Sequence, residues 1–115
     1  MSAASKLRPT DALQVERWPI QRLLPYAANA RTHGEEQVAQ IAGSIAAFGF
    51  NVPCLVDERG VLIAGYGRLL AARRLGLDDV PVIRLKHLTD AQARAFRIAD
   101  NRIAENAGWD EALLA

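Results

Sequence analysis

Val61-Leu62-Ile63-Ala64 gives way at Gly65 to Tyr66-Gly67-Arg68 and then to Leu69-Leu70-Ala71-Ala72-Arg73-Arg74-Leu75-Gly76. An apolar run of β type breaks at two glycines and becomes a helix with an arginine in its first turn and a glycine stop. So abrupt a change of direction needs a backbone free to turn left-handed and to approach a ligand closely, which glycine supplies. The first N–H groups of the new helix point outward at the positive end of its dipole. Arg68 adds a forked, permanently charged donor suited to phosphate oxygens. The stretch therefore predicts an anion site. It also fits a tight strand-to-helix turn with a surface arginine, since short glycine motifs are common.

The rest of the chain supplies elements around this turn. Residues 1–12 are small, polar and unpatterned and read as a disordered tail. Leu13 to Trp18 reads as a first strand closed by Pro19. Ile20 to Tyr26 leads into a polar loop, Ala27 to Gly34. From Glu35 the apolar residues Val38, Ile41, Ala42, Ile45 and Phe48 form a helical stripe that Gly49 stops. Pro53–Val56 and Val61–Ala64 read as strands joined by a hairpin-like turn, Asp57 to Gly60. After the glycine turn and its helix comes a strand, Val80 to Leu85, in which Pro81 points to an edge or first-residue position. Thr89-Asp90-Ala91-Gln92 is a capping box opening a long helix to about Glu105. Residues 107–115 read as the start of a following helix of something longer, with Asp110 capping Glu111 to Ala115. Strands and helices in this order, with an antiparallel pair in the middle, predict an α+β domain over residues 13–106 on a mixed sheet with three main helices.

Composition excludes more than it selects. The 115 residues carry 14 basic and 13 acidic side chains, so no global charge draws the chain to nucleic acid. The distribution is uneven: residues 61–104 hold eight basic against four acidic side chains, leaving that segment at +4 and the remainder at −3. A locally basic face fits this pattern, and so does an ordinary solvated helix. One cysteine, Cys54, forbids an internal disulfide, and no Cys/His cluster has metal-ligand spacing. No apolar stretch is long enough to span a membrane, and residues 1–10 lack the apolar core of a signal peptide, so a cytoplasmic protein without membrane contact is expected.

Few residues offer chemistry. Arg94, Arg97 and Asn101 stand at i, i+3 and i+7 on one face of the long helix. Asp100 and Asn101, late in that helix, are oxygen donors of the kind a phosphate-bound Mg²⁺ requires, although a solvated helix face reads the same way. Arg31, Thr32 and His33 lie in the loop before the first helix and offer an anion contact or, at His33, an acid–base group near neutral pH. A lone loop histidine is more often surface, and His87, after a strand, carries still less weight. Cys54 reads as a small buried hydrophobe. There is no nucleophile–base pair. The chain looks like a binding module before it looks like an enzyme, with Asp100 as the candidate catalytic group if Mg²⁺ activates water.

Taken together, these residues resemble the N-terminal domain of ParB-like proteins, in the ParB/sulfiredoxin superfamily, from about Ile20 to Asn106. The resemblance is carried by Ile20-x-x-Leu23-x-Pro25-x-x-x-Asn29-x-Arg31, Ser44-Ile45-x-x-Phe48-Gly49 before Pro53, Gly65-x-x-Arg68-x-x-Ala71-Ala72, Leu75-Gly76-x-x-x-Val80-Pro81-Val82 and Asp100-Asn101. The phrases Asn29-Ala30-Arg31-Thr32-His33, Ala99-Asp100-Asn101-Arg102 and Trp109-Asp110-x-x-Leu113-Leu114 are similar to ParB-like domains that stand ahead of phage and bacterial DNA methyltransferases. The resemblance implies a mixed, partly open barrel-like sheet. It makes Gly65, Tyr66, Gly67 and Arg68 the phosphate loop, which serves CTP in partition proteins and ATP in sulfiredoxins. Asp100-Asn101 then matches the pair that contacts phosphates and Mg²⁺, and Arg31, Thr32 and His33 are rim contacts. It further implies DNA and nucleotide as partners, a fused or associated methyltransferase, and a homodimer.

This chain departs from the family in three places. Sulfiredoxins carry their reactive cysteine in the phosphate loop, whereas Cys54 lies outside it, which argues against a sulfinic-acid reductase. Tyr66-Gly67 stands where partition proteins have charged residues and many methyltransferase-linked members have histidine, and Ala104 replaces an expected arginine; both count against specific CTP hydrolysis. The expectation is a nucleotide- or DNA-phosphate-binding module of a DNA-modification or partition protein. The alternative is a Mg²⁺-dependent nuclease or nucleotide phosphohydrolase, and a third reading is an adaptor that uses the fold to dimerise.

Overall fold

A computed structural model describes residues 13–26 and 34–100. The expected tail over 1–12, the loop residues Arg31, Thr32 and His33, Asn101 and the segment 107–115 lie outside them. Strand β1 is Val15–Pro19 and is followed by a single 3₁₀ turn, Ile20–Arg22. Helix α1 is Glu35–Phe48, strands β2 and β3 are Cys54–Val56 and Leu62–Ala64, and helix α2 is Tyr66–Arg74. Strand β4 is Asp79–Arg84, and residues 90–100 are helical and are called α3.

The strands form one sheet in the order β1-β4-β2-β3. β1 pairs antiparallel with β4, β4 parallel with β2, and β2 antiparallel with β3. The mixed α+β architecture read from the sequence is therefore observed, as an open four-stranded sheet. Two expectations change. β1 includes Pro19, which pairs with Asp79 as the last residue of the strand. Pro81 is neither at an edge nor first in its strand, since β4 is flanked on both sides. The parallel ladder to β2 begins only at Val82, one residue beyond the proline.

Alternation along the strands divides the core between the two faces. Cys54, Val56, Leu62, Val80 and Val82 face one way and meet Trp18, Leu23 and, from α2, Leu69 and Ala72. α1 lies on α2 as an outer layer, with Val38 and Ala42 against Ala71. Leu55, Ile63 and Ile83 face the other way, where Leu85, Leu88 and Ala93 cover them. α3 is thus the cover of the second face.

Helix ends follow sequence signals. The Thr89 N–H donates to Gln92 Oε1 at 2.9 Å while the Gln92 N–H donates to Thr89 Oγ1 at 3.1 Å, the reciprocal pair of a capping box. α2 stops at Gly76, whose φ of +72° lets the Leu77 N–H reach back to Ala72 O at 3.0 Å and the Gly76 N–H to Arg73 O at 3.1 Å.

Candidate functional site

β3 runs straight into Gly65, which takes a φ of +101° and a ψ of 21° and forms the N-cap of α2. In that left-handed state the chain turns from strand to helix without an intervening loop. Gly65 has no side chain to cap the helix, and the first helical bond is the one from the Leu69 N–H to Gly65 O at 2.9 Å. The N–H groups of Tyr66, Gly67 and Arg68 precede that bond, so the helix itself gives them no acceptor. These three amides and the positive end of a nine-residue helix lie at one point.

Arg68 is not the free surface group that the sequence allowed. It is half-buried, and its Nη2 donates to Pro53 O at 3.0 Å at the entrance to β2. Its Nε is buried and has no hydrogen-bond partner among the described residues. The guanidinium is thus anchored at one end and holds an unused donor at the other.

Cys54 lies under this turn, a placement that chain distance concealed. Its Sγ is 3.6 Å from Gly65 O. A Cβ on Gly65 would fall 3.1 Å from both Cys54 Cα and Sγ and 2.9 Å from Arg68 Nη2. Burial pushes the thiol up to about 11, against the opposing pull of the Arg68 guanidinium. The thiol is wholly buried and protonated at neutral pH, so it packs beneath the loop as the small hydrophobe expected.

Arg94 and Arg97 separate. Arg94 is exposed, whereas Arg97 is 4% exposed and is the one charged side chain in the core of the described residues. Its guanidinium stacks 4.4 Å over the Tyr26 ring and its Nε donates to Leu62 O at 2.9 Å. A shared, solvated face was expected, and the charge alone gave no sign of burial. Asp100 is half-buried on the same helix. His87 is exposed in the turn after β4. Among the described residues no three His, Cys, Asp or Glu side chains converge to hold a metal, and no helix is long and apolar enough to cross a membrane.

Comparison with known proteins gives a consistent assignment. The model of the ParB N-terminal domain matches residues 5–102. The chain is 53% identical over 83 residues to the ParB-like nuclease domain-containing protein YnaK of Escherichia coli (strain K12), covering 72% of this chain and 95% of that protein. Its fold is similar to the C-terminally truncated chromosome-partitioning protein ParB from Caulobacter crescentus complexed with CTP-γ-S. The TM-score there is 0.66 at 28% identity, covering 76% of this chain and 52% of that one. Sulfiredoxin from Arabidopsis thaliana shares the fold with a TM-score of 0.61 at 20% identity, over 72% of this chain and 96% of that chain. The chain spans about half of that truncated partition-protein chain.

Proposed function

The chain belongs to the family of ParB N-terminal domains, and on that premise we propose that it is a nucleotide- or DNA-phosphate-binding module whose ligand phosphate sits on the Gly65–Arg68 turn. One observation carries the reading: the half-buried Arg68, anchored on Pro53 O with its Nε unpartnered, stands in the first turn of the uncapped helix. A phosphate at that point accepts from the backbone amides and from a guanidinium already desolvated, where a charge-assisted bond is strong. The similarity to a partition protein crystallised with CTP-γ-S supports a nucleoside triphosphate, CTP before ATP, as the ligand.

The donors also fit an accompanying Mg²⁺, provided the ion is held mainly by phosphate. Asp100, with Asn101 beside it, supplies the hard oxygens, and no denser protein ligand set is needed. When bound, the ion neutralises phosphate charge; the chain's own residues bind and orient. Arg31, Thr32 and His33 complete the rim in this reading. The basic segment adds a weak, salt-dependent affinity for DNA phosphates, with Arg73 and Arg74 exposed on the last turn of α2. In the cell the module serves a cytoplasmic DNA-partition or DNA-modification protein, including one fused to or associated with a DNA methyltransferase, and can act as a homodimer.

The test is calorimetry of CTP, ATP, GTP and short DNA duplexes, with and without Mg²⁺, against the natural chain and Arg68→Ala. The variant should lose about tenfold to a hundredfold in affinity for the best ligand, as removal of a charge-assisted donor worth roughly 1.5–3 kcal/mol requires. Equal affinities in two folded proteins would make the glycine turn only a turn. Rapid Mg²⁺-dependent hydrolysis of nucleotide or DNA, abolished by Asp100→Ala, would replace the module with an enzyme.

A further inference from the structure

We infer that Arg97 is the positioning residue that locks α3 to the strand feeding the Gly65 turn, so that the turn and the helix bearing Asp100 behave as one unit; the consequence for ligand affinity rests on the phosphate reading above. Arg97 reaches two points of the β2–β3 hairpin and, far from it in the chain, Tyr26. Its Nε donates to Leu62 O at 2.9 Å, three residues before Gly65. Its guanidinium covers the Tyr26 ring, at the entrance to the 27–33 segment. Its Nη2 lies 3.7 Å from Asp57 Oδ2, whose other oxygen accepts the N–H groups of Arg59 and Val61, each at 2.9 Å. One carboxylate therefore closes the β2–β3 turn and faces the buried cation.

Packing alone does not call for a charge here. α3 already places Ala93 against Ile63 and Leu85, and a methionine would fill much the same volume as the arginine. The guanidinium, with Nη2 buried and its ion-pair partner Asp57 Oδ2 beyond hydrogen-bond reach at 3.7 Å, carries a desolvation cost that an apolar side chain avoids. What it supplies is register. A planar fork aimed at one strand carbonyl and one ring fits a single placement of the helix, and a slip of one turn would leave the charge buried with none of these partners. Ala93, Arg97 and Asp100 follow at spacings of four and three on one stripe, so the register that Arg97 sets is the one in which Asp100 is presented. By linkage, a phosphate ligand held by both the turn and α3 tightens the docking, and docking tightens the ligand.

Amide exchange of the ligand-free 115-residue chain tests the lock, using Arg97→Met, Arg97→Lys and, as a control on the same helix, the exposed Arg94→Met. The decisive reporter is the Leu69 N–H, whose bond to Gly65 O closes the turn. In Arg97→Met, exchange should quicken about tenfold or more both in residues 93–97 and at Leu69, with cooperative unfolding retained; Arg94→Met should change neither. Faster exchange in α3 with natural protection at Leu69 would overturn the inference. Should Arg97→Met not fold, Arg97→Lys, which keeps the charge and loses the fork, is read by the same comparison of the two segments. In Mg²⁺–CTP titration Arg97→Met should bind roughly tenfold more weakly, the equivalent of one lost charge-assisted bond. Equal affinity would break the linkage. A natural chain that binds no nucleotide or phosphate refutes the proposed function, while the exchange comparison still decides the lock.

Discussion

Replacing Gly65 with alanine probes whether the strand-to-helix turn is held against Cys54 as closely as the structure shows. The left-handed φ of +101° costs a residue with a Cβ about 1–2 kcal/mol. The new methyl carbon would also stand 2.9 Å from Arg68 Nη2 and 3.1 Å from Cys54 Cα and Sγ. The arginine tip can yield, but Cys54 Cα belongs to β2, which is paired on both sides, so the turn must lift instead. Such overpacking adds about 1–3 kcal/mol. The sum, about 2–5 kcal/mol, lowers the melting temperature by about 8–20 °C at roughly 4 °C per kcal/mol for a domain near this size. Gly76→Ala isolates the strain: φ is +72°, but nothing lies within 4 Å of the added carbon, so its loss should be only about 1–2 kcal/mol. Gly43, inside α1 with open space around it, should gain about 0.5–1 kcal/mol as alanine. Calorimetric melting of the three variants at neutral pH orders them. If Gly65→Ala melted with Gly76→Ala, the close seat on Cys54 would hold nothing, and the reasoning would fail.

Two further predictions concern the same corner. The Cys54 thiol is raised from the ordinary 9.0 to about 11, so the fold favours its protonated form. That stability is complete below pH 9 and is lost as pH rises through about 11. Its total is about 2–3 kcal/mol, since each tenfold change in proton affinity is worth about 1.4 kcal/mol. The melting-temperature gap between the natural chain and Cys54→Ala should therefore narrow from pH 9 to 11, and a constant gap would refute it. Arg68→Ala should cost about 1 kcal/mol of stability through the lost bond to Pro53 O, discounted for partial exposure, and urea unfolding at pH 7 measures it. No change in the urea midpoint would return Arg68 to the surface role that its sequence context allowed.

Much of the architecture was legible because it rests on local or short-period signals. The stripe from Val38 to Ile45, the Thr89–Gln92 box and the Gly65 break each depend on neighbours within a few residues, and each reappears where expected, whereas Phe48, read as the end of the stripe, is exposed. What was missed depends on contacts across the chain. Pro81 looked like an edge residue because proline lacks a donor, yet pairing places its strand in the middle, beside a ladder that starts one residue later. Cys54 is 11 residues from Gly65 in the chain and touches it in space. Arg97 carried the same letter as the exposed Arg94, and only the meeting of Tyr26, Asp57 and Leu62 tells them apart. Asp100 and Asn101 were legible only as oxygen donors late in the helix; Asp100 is half-buried three residues beyond buried Arg97, while Asn101 lies outside the described residues.

The central place of β4 also bears on how the chain is made. Its two neighbours, β1 and β2, are both synthesised before it, and β1 finds its partners in residues 79–83, sixty or more positions downstream. A nascent chain leaving the ribosome therefore carries β1 as an unmated ribbon until β4 has emerged, and the β2–β3 hairpin waits with one edge open. The last strand to appear closes both gaps at once, so folding should be late and abrupt, with the long loop closed before any reward. A ribosome stalled before Arg84 clears the exit would present two bare strand edges, a state suited to chaperone capture or to pairing with a neighbouring nascent chain.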